Sequence, residues 1–191
     1  GPNFLPPAGI SDDTTVTVQS PTIAKTLVGT SIVDAYNLNT EAVIGEVATF
    51  SLTIDVPRGT TPGAAVVDSL PTGLAFVQMV GTPVVDPDVL FTGSLAPVVT
   101  NSGRTVTFNL GDVTNASSTD TLQGITLQYE AVVLNVSGNK AGTQLRNNAK
   151  LTWTGHTELP ATRSGPVTVI EPKLTVQKTA SPTTAQANDT A

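Results

Sequence analysis

The chain has 191 residues, a formal net charge of −6, 39% hydrophobic, 13% charged and 4% aromatic residues, and no cysteine. Its nine lysines and arginines are dispersed along the chain, which argues against a nucleic-acid-binding protein or one that docks on an anionic membrane. Without cysteine, disulfides and thiolate metal sites are excluded, and no apolar run approaches the roughly 20 residues of a transmembrane helix. The length suits one domain of about 150 residues with flanking segments.

The pattern of apolar residues predicts a succession of strands. VATFSLTIDV, from Val47 to Val56, alternates apolar and polar side chains throughout, which is typical of a half-buried strand. The same alternation runs from Gly103 to Val113 and from Gly124 to Val136, and residues that favour turns lie between the segments. Strands at this spacing, with no helical period between them, predict an all-β protein built as an antiparallel sandwich.

Three polar residues interrupt the apolar faces of the predicted strands. Because side chains alternate between the two faces of a strand, Lys25, Asp68 and Asn147 should all point into the core. A buried amide without hydrogen-bond partners costs about 1–3 kcal/mol, so Asn147 in particular requires an explanation. The rows concerned are Ile23, Lys25 and Leu27; Ala64, Val66, Asp68 and Leu70; and Asn147, Ala149, Leu151 and Trp153.

A repeated motif indicates where the domain begins and ends. VTVQSP at 16–21 returns as VTVIEP at 167–172, and each copy precedes a short segment ending in Lys-Thr. Residues 20–170 are therefore predicted to form one sandwich domain, and residues 171–191 the start of the next repeat, in which Lys178 takes the place of Lys25. Residues 1–19 would comprise a tag remnant, which the opening Gly1-Pro2 indicates, followed by a linker or the end of a preceding repeat. The alternative is that the two motifs are unrelated edge strands.

Four segments in this order, PTIAKTL, GEVATFSLTIDVP, VVDSLPTGLAF and LRNNAKLTW, resemble the isopeptide-forming domains of bacterial fimbrial shaft proteins and collagen-adhesin-like surface proteins. The segments VVDSLPTGLAF, GRTVTFNLGDV and PKLTVQKTASP also resemble the uncharacterised repeats of large prokaryotic surface proteins. Both resemblances imply an immunoglobulin-like β-sandwich. They further imply a structural stalk or shaft domain at a bacterial cell surface, with neighbouring repeats of the same chain as its partners.

The first resemblance also implies a chemistry. In that family a Lys on an early strand attacks an Asn side chain on a late strand, assisted by a carboxylic acid from a middle strand. Carried over, Lys25 is the nucleophile, Asp68 the acid and Asn147 the acceptor. Burial favours the neutral amine and the protonated carboxyl, which are the forms that this reaction needs. The reaction would occur once per molecule without a cofactor, so the chain is not predicted to be an enzyme.

Each of these residues also has an ordinary structural interpretation. Lys25 could lay its stem on the core and extend its ammonium into water. Asp68 could serve a turn, and Asn147 could satisfy a backbone group of an edge strand. A register slip of one residue would turn Asn148 inward instead. Glu130 is the alternative acid, although strict alternation turns its side chain outward.

Two other functions remain open at this level. A plain spacer repeat would have the sandwich without the bond, whereas an adhesin module would present loops 81–102 and 111–123 to a host protein or glycan. No metal is predicted. His156 has no second histidine or cysteine with which to form a transition-metal site, and the acidic pairs Asp12–Asp13 and Asp86–Asp88 lack the spacing of an EF-hand loop.

Overall fold

The computed structural model describes residues 19–156, 159–171 and 176–179. These residues form strands and no helix, and so none of them belongs to a helix that could cross a membrane. The strands are β1 (Thr22–Thr30), β2 (Glu41–Ala42), β3 (Val47–Val56), β4 (Gly59–Ser69), β5 (Leu74–Met79), β6 (Val84–Val85), β7 (Val89–Phe91), β8 (Val98–Thr100), β9 (Thr105–Asn115), β10 (Gln123–Val133), β11 (Gln144–Leu145), β12 (Asn148–Thr152), β13 (Thr162–Arg163) and β14 (Val167–Val169).

Two antiparallel sheets carry the fold. The first has the order β1-β3-β10-β5, with β6 also paired to β10, and the second has the order β13-β12-β4-β9-β7, with β8 also paired to β9. A small third sheet, β11-β14-β2, contains a parallel pair between β14 and β2. The prediction of an all-β sandwich is confirmed; the third sheet, made of segments of two or three residues, is an addition to it.

The core lies between the two large sheets. Every second residue of β3, from Ala48 to Val56, is at most 1% exposed, and β10 shows the same alternation from Ile125 to Val133. Phe108 of β9 is fully buried in the facing layer. At about 25 cal/mol per Å² of apolar surface removed from water, these alternating rows supply the main stabilisation, and they fix the register of the strands.

The prediction of two long free loops was wrong for residues 81–102. That range contains β6, β7 and β8, which pair with the large sheets. Strands of two or three residues are too short to show alternation, which is why the sequence pattern missed them. In the second range, β9 continues to Asn115, whose side-chain amide donates to Val56 O at 3.0 Å and Thr121 O at 2.9 Å. Less of the chain is free for ligand binding than the sequence indicated.

Predictions for residues 1–18, 172–175 and 180–191 lie outside the described residues. Within the predicted next repeat, Lys178 is described and exposed to solvent. Its correspondence to Lys25, and the domain boundaries drawn from the repeated motif, stay predictions.

Candidate functional site

The structure brings Lys25, Asp68 and Asn147 together in the core. Their relative exposures are 4%, 0% and 0%. Lys25 Nζ donates to Asp68 Oδ2 across the sandwich, from β1 of the first sheet to β4 of the second. Asn147 lies immediately before β12, the neighbour of β4. Residues far apart in the sequence thus meet in one dry cluster. Alternation predicted that each of them points inward, and the resemblance implied that they meet.

The backbone holds Asn147 where the chain changes sheets. The chain leaves the third sheet after Leu145 and enters the second sheet at Asn148. At this crossing Asn147 N donates to Ser164 Oγ at 3.2 Å, and Ser164 N donates to Asn147 O at 2.9 Å. Two residues after Asn147, Ala149 pairs directly with Asp68, so the strand register sets the amide beside the carboxyl group.

A fourth residue, Tyr129 of β10, connects the other three. Its hydroxyl accepts from Lys25 Nζ at 2.8 Å and from Asn147 Nδ2 at 2.5 Å, and it donates to Asp68 Oδ2 at 2.7 Å. A phenol has one proton to donate, and Asp68 receives it, so the Asn147 atom that faces the hydroxyl is the amide nitrogen. Sequence reasoning missed Tyr129. The available signal was a phenol in an inward apolar row, because a buried tyrosine hydroxyl needs a partner.

Aromatic rings close off the cluster. Lys25 Nζ lies 5.0 Å from the ring centroid of Phe50 and 4.8 Å from that of Tyr129, and the Phe76 ring packs at 5.7 Å from the Tyr129 ring. These rings keep water away from the amine, so hydrogen bonds and charges inside the cluster interact more strongly than they would in solvent.

Burial pushes the cluster toward its uncharged form. It lowers the pKa of the Lys25 ammonium, and the attraction of Asp68 only opposes that shift. It raises the pKa of the Asp68 carboxyl, against the opposing effects of Lys25, Tyr129 and Asn147. Burial, and then the charge of Asp68, raise the pKa of the Tyr129 phenol well above its usual value. Burial therefore shifts Lys25 toward the neutral amine and Asp68 toward the protonated acid, and it keeps Tyr129 protonated.

Two oxygen atoms in the cluster have no hydrogen-bond partner among the described residues, Asp68 Oδ1 and Asn147 Oδ1. Leaving a buried acceptor unsatisfied costs about 1–3 kcal/mol, so a native core seldom keeps two such atoms in one cluster. A proton on Asp68 Oδ1 would give that oxygen a hydrogen to donate while Oδ2 continues to accept from Lys25 and Tyr129. The bonding pattern therefore agrees with the direction of the Asp68 pKa shift.

The alternative residues lie outside this cluster. Asn148 is only half-buried, and its Oδ1 accepts from Arg163 Nε at 2.8 Å. Glu130 faces away from the core, where its Oε2 accepts from Gln78 Nε2 at 2.9 Å. Lys25 keeps its side-chain nitrogen out of water, since its side chain is fully buried. The geometry selects the same three residues that the alternation selected.

Nothing in the described part of the chain assembles a metal site, since no three His, Asp or Glu side chains cluster there. The His156 ring packs against Trp153, with 5.0 Å between centroids. Asp86 Oδ2 accepts from Gly124 N at 2.7 Å, which is a loop-stabilising bond. Asp12 and Asp13 lie outside the described residues.

The pKa shifts predict a pH-dependent variant. In Lys25→Met, Asp68 keeps the burial that raises its pKa and has no cation at position 25 to oppose that shift, so its folded pKa should lie above the unfolded value of about 4. The folded state then holds a proton that the unfolded state releases. The stabilising contribution is therefore complete below pH 4 and is lost as pH rises toward the folded pKa, at about 1.4 kcal/mol per pH unit. Denaturant titrations of the free energy of unfolding from pH 4 to pH 7 measure this slope.

Two variants serve as controls for that slope. Lys140→Met removes an exposed lysine and should leave the pH profile as in the wild type. Lys25→Met combined with Asp68→Asn removes the titrating group and should flatten the profile. A slope that persists in this double variant would assign the effect to another residue.

Comparison with known proteins finds similarity of fold alone. No protein-family model matches the chain, and no curated protein matches it. Among solved structures, the full-length major pilin RrgB from Streptococcus pneumoniae is 16% identical with a TM-score of 0.50, the match covering 73% of this chain and 24% of that one. The full-length major pilin SpaD from Corynebacterium diphtheriae is 16% identical with a TM-score of 0.46, covering 76% and 34%. BcpA, the major pilin subunit of Bacillus cereus, is 18% identical with a TM-score of 0.42, covering 79% and 40%.

The chain thus spans between about a quarter and two-fifths of the length of each of these pilins. The similarity to RrgB shows that the two proteins share a fold, which in this chain is an all-β sandwich.

Proposed function

We propose that this chain is a structural shaft or stalk domain of a bacterial surface fibre, stiffened by an isopeptide bond that Lys25 and Asn147 form by themselves with the assistance of Asp68. The observation that carries the proposal is the buried cluster, in which an amine, an acid and an amide from three separate strands share hydrogen bonds. The fold shared with the pilin RrgB supports the fibre context. The domain works at the cell surface, with neighbouring repeats of its chain or neighbouring subunits as partners.

The hydrogen bonds leave the amine ready to attack. A neutral amine has two N–H bonds and one lone pair. Asp68 Oδ2 and Tyr129 Oη accept the two N–H bonds of Lys25, so the lone pair stays free for the carboxamide carbon of Asn147. Both nitrogens lie within hydrogen-bond distance of the Tyr129 oxygen, so the two reacting groups are close neighbours. Holding them in place converts a bimolecular reaction into an intramolecular one. Well-oriented intramolecular reactions reach effective molarities of roughly 10⁵ M.

Asp68 supplies the acid. Protonated at Oδ1, it can donate to the carbonyl oxygen of Asn147, whose Oδ1 has no other partner among the described residues. That hydrogen bond stabilises the negative charge that develops on the oxygen when the amine adds. The Lys25 Nζ to Asn147 Cγ bond forms, the Cγ to Nδ2 bond breaks, and the nitrogen departs as ammonia. The product is a neutral secondary amide, which suits a dry core better than a charged pair.

The position of the bond explains its use in a fibre. Lys25 lies on the first strand of the domain and Asn147 directly precedes β12, near its end. Tension applied to the two ends of the domain would then pass through the short terminal segments and the covalent bond. Strands β2 to β11 lie between the two bonded residues and would be bypassed, so a domain of modest thermodynamic stability could bear a large load.

Intact masses of variants test the proposal. Lys25→Ala, Asp68→Ala and Asn147→Ala should each have the mass of their full sequence, whereas the wild type should lack one ammonia, about 17 Da. Asn148→Ala is the matched control, because this neighbouring amide bonds Arg163 on the surface, and it should show the wild-type loss. Loss of ammonia in Asn147→Ala as well would remove Asn147 from the role of acceptor. Full sequence mass in every protein, wild type included, would leave a plain spacer domain.

A further inference from the structure

We propose that Tyr129 is a catalytic residue of bond formation, which carries the proton from the attacking nitrogen of Lys25 to the leaving nitrogen of Asn147. This inference rests on the proposed function and adds a residue to it. The observation is that one hydroxyl lies within hydrogen-bond distance of both reacting nitrogens, 2.8 Å from Lys25 Nζ and 2.5 Å from Asn147 Nδ2.

The reaction requires one net proton transfer. When the neutral amine adds to the amide carbon, the attacking nitrogen becomes positively charged and must lose one proton. The leaving nitrogen must gain one, because NH₂⁻ is far too basic to depart as an anion. Attacking nitrogen and leaving nitrogen are attached to the same carbon at that stage, and a group that contacts both can complete the exchange without water.

The Tyr129 hydroxyl has the right bonds for this exchange. The Nζ–H to Oη hydrogen bond that removes the first proton is already present. Nδ2 donates to the same oxygen in the amide, but it regains a lone pair once the carbon becomes tetrahedral and can then accept. Tyr129 takes the proton from Nζ as its own hydroxyl proton turns from Asp68 Oδ2 to Nδ2. One proton enters and one leaves, so the phenol ends unchanged.

The surroundings of Tyr129 support this role. Tyr129 is 0% exposed, and the Phe50 and Phe76 rings pack against its ring, with centroids 5.8 and 5.7 Å away. The oxygen is therefore fixed in a site that water does not reach. Burial, the largest cause of the raised pKa of Tyr129, keeps the phenol protonated, so it starts the reaction as a donor. Asp68 is left to polarise the carbonyl, and the two acids have separate tasks.

The test compares rates of ammonia loss in newly made protein. The full chain is synthesised in a cell-free system, translation is stopped, and samples taken over time are quenched in acid for intact-mass measurement. Tyr129→Phe removes only the hydroxyl oxygen and should lose ammonia about 100-fold more slowly than the wild type, the lower end of the range for general acid–base catalysis. Tyr36→Phe is the matched control, since Tyr36 is 84% exposed, and it should react at the wild-type rate.

The outcomes separate this inference from the proposal beneath it. If the wild type and Tyr129→Phe lose ammonia at the same rate, the role of Tyr129 is overturned and the proposed bond stands. A wild type that never loses ammonia would overturn both.

A second measurement distinguishes proton transfer from a packing effect. In the Tyr36→Phe background, 3-fluorotyrosine enters only at position 129, where it keeps the ring shape and lowers the pKa of the phenol. A more acidic phenol protonates the leaving nitrogen more readily but accepts the proton from Nζ less readily. Protonation of the leaving nitrogen is the harder transfer, because the ammonium formed when the amine adds is itself acidic, so ammonia loss should be faster. An unchanged rate would contradict the inference even if Tyr129→Phe fails to fold.

Discussion

Stretched from its two ends, a single molecule of this domain should lengthen by only its short terminal segments when it unfolds. Residues between Lys25 and Asn147 would be bypassed by the covalent bond. The Asn147→Ala variant has no bond, so the same residues should extend at about 3.4 Å each and add roughly 400 Å to the contour length of the unfolded chain. Force spectroscopy of a polyprotein with known flanking domains measures this difference directly.

Asn148→Ala provides the comparison for that experiment. It removes an amide one position away whose partner is Arg163, and its extension should match the wild type. If the wild type instead gained the same length as Asn147→Ala, no covalent bypass would exist. The shaft proposal would then have to rest on the fold alone.

Removal of the bond should also cause the largest loss of thermal stability. A cross-link that closes a loop of about 100 residues or more stabilises by roughly 4–5 kcal/mol on the chain-entropy model. For a domain of about 150 residues, 1 kcal/mol corresponds to about 2–4 °C, so Asn147→Ala should melt about 8–20 °C below the wild type. Differential scanning calorimetry measures both the midpoint and the enthalpy.

Non-additivity tests whether Lys25 and Asn147 stabilise the fold through one shared interaction. Lys25→Met and Asn147→Ala each abolish the same cross-link, so the double variant should be scarcely less stable than the worse single variant. Independent contributions would add instead, within about 0.5 kcal/mol. Additive losses from the two substitutions would therefore contradict a shared bond.

The alternation of side chains was enough to predict the sandwich and three members of the cluster. Lys25, Asp68 and Asn147 each interrupt an apolar row, and strict alternation turned all three inward, as the structure shows. That they meet one another is a property of the topology, which brings β1 of one sheet opposite β4 of the other. The resemblance to isopeptide-forming domains gave the pairing, because no local pattern relates positions so far apart.

The pattern of side chains along the sequence missed several elements, and each omission has a physical reason. Tyr129 continues an apolar row, and its ring is indistinguishable from a core aromatic until the hydroxyl is seen to bond three neighbours. Strands β6, β7 and β8 are held by backbone pairing at sheet edges, and a backbone hydrogen bond leaves no mark on side-chain periodicity. The switch from one sheet to another at Asn147 likewise depends on Ser164, a residue from a later segment.

The central claim is that Lys25 and Asn147 are joined, and the mass of the folded wild-type protein tests it most directly. The account predicts a mass about 17 Da below that of the sequence, and a proteolytic digest in which the peptides holding Lys25 and Asn147 appear as one species of corresponding mass. Deamidation of an asparagine would instead add about 1 Da. A folded wild type with the full sequence mass, and separate peptides after digestion, would contradict the claim and leave a buried hydrogen-bonded cluster without a covalent bond.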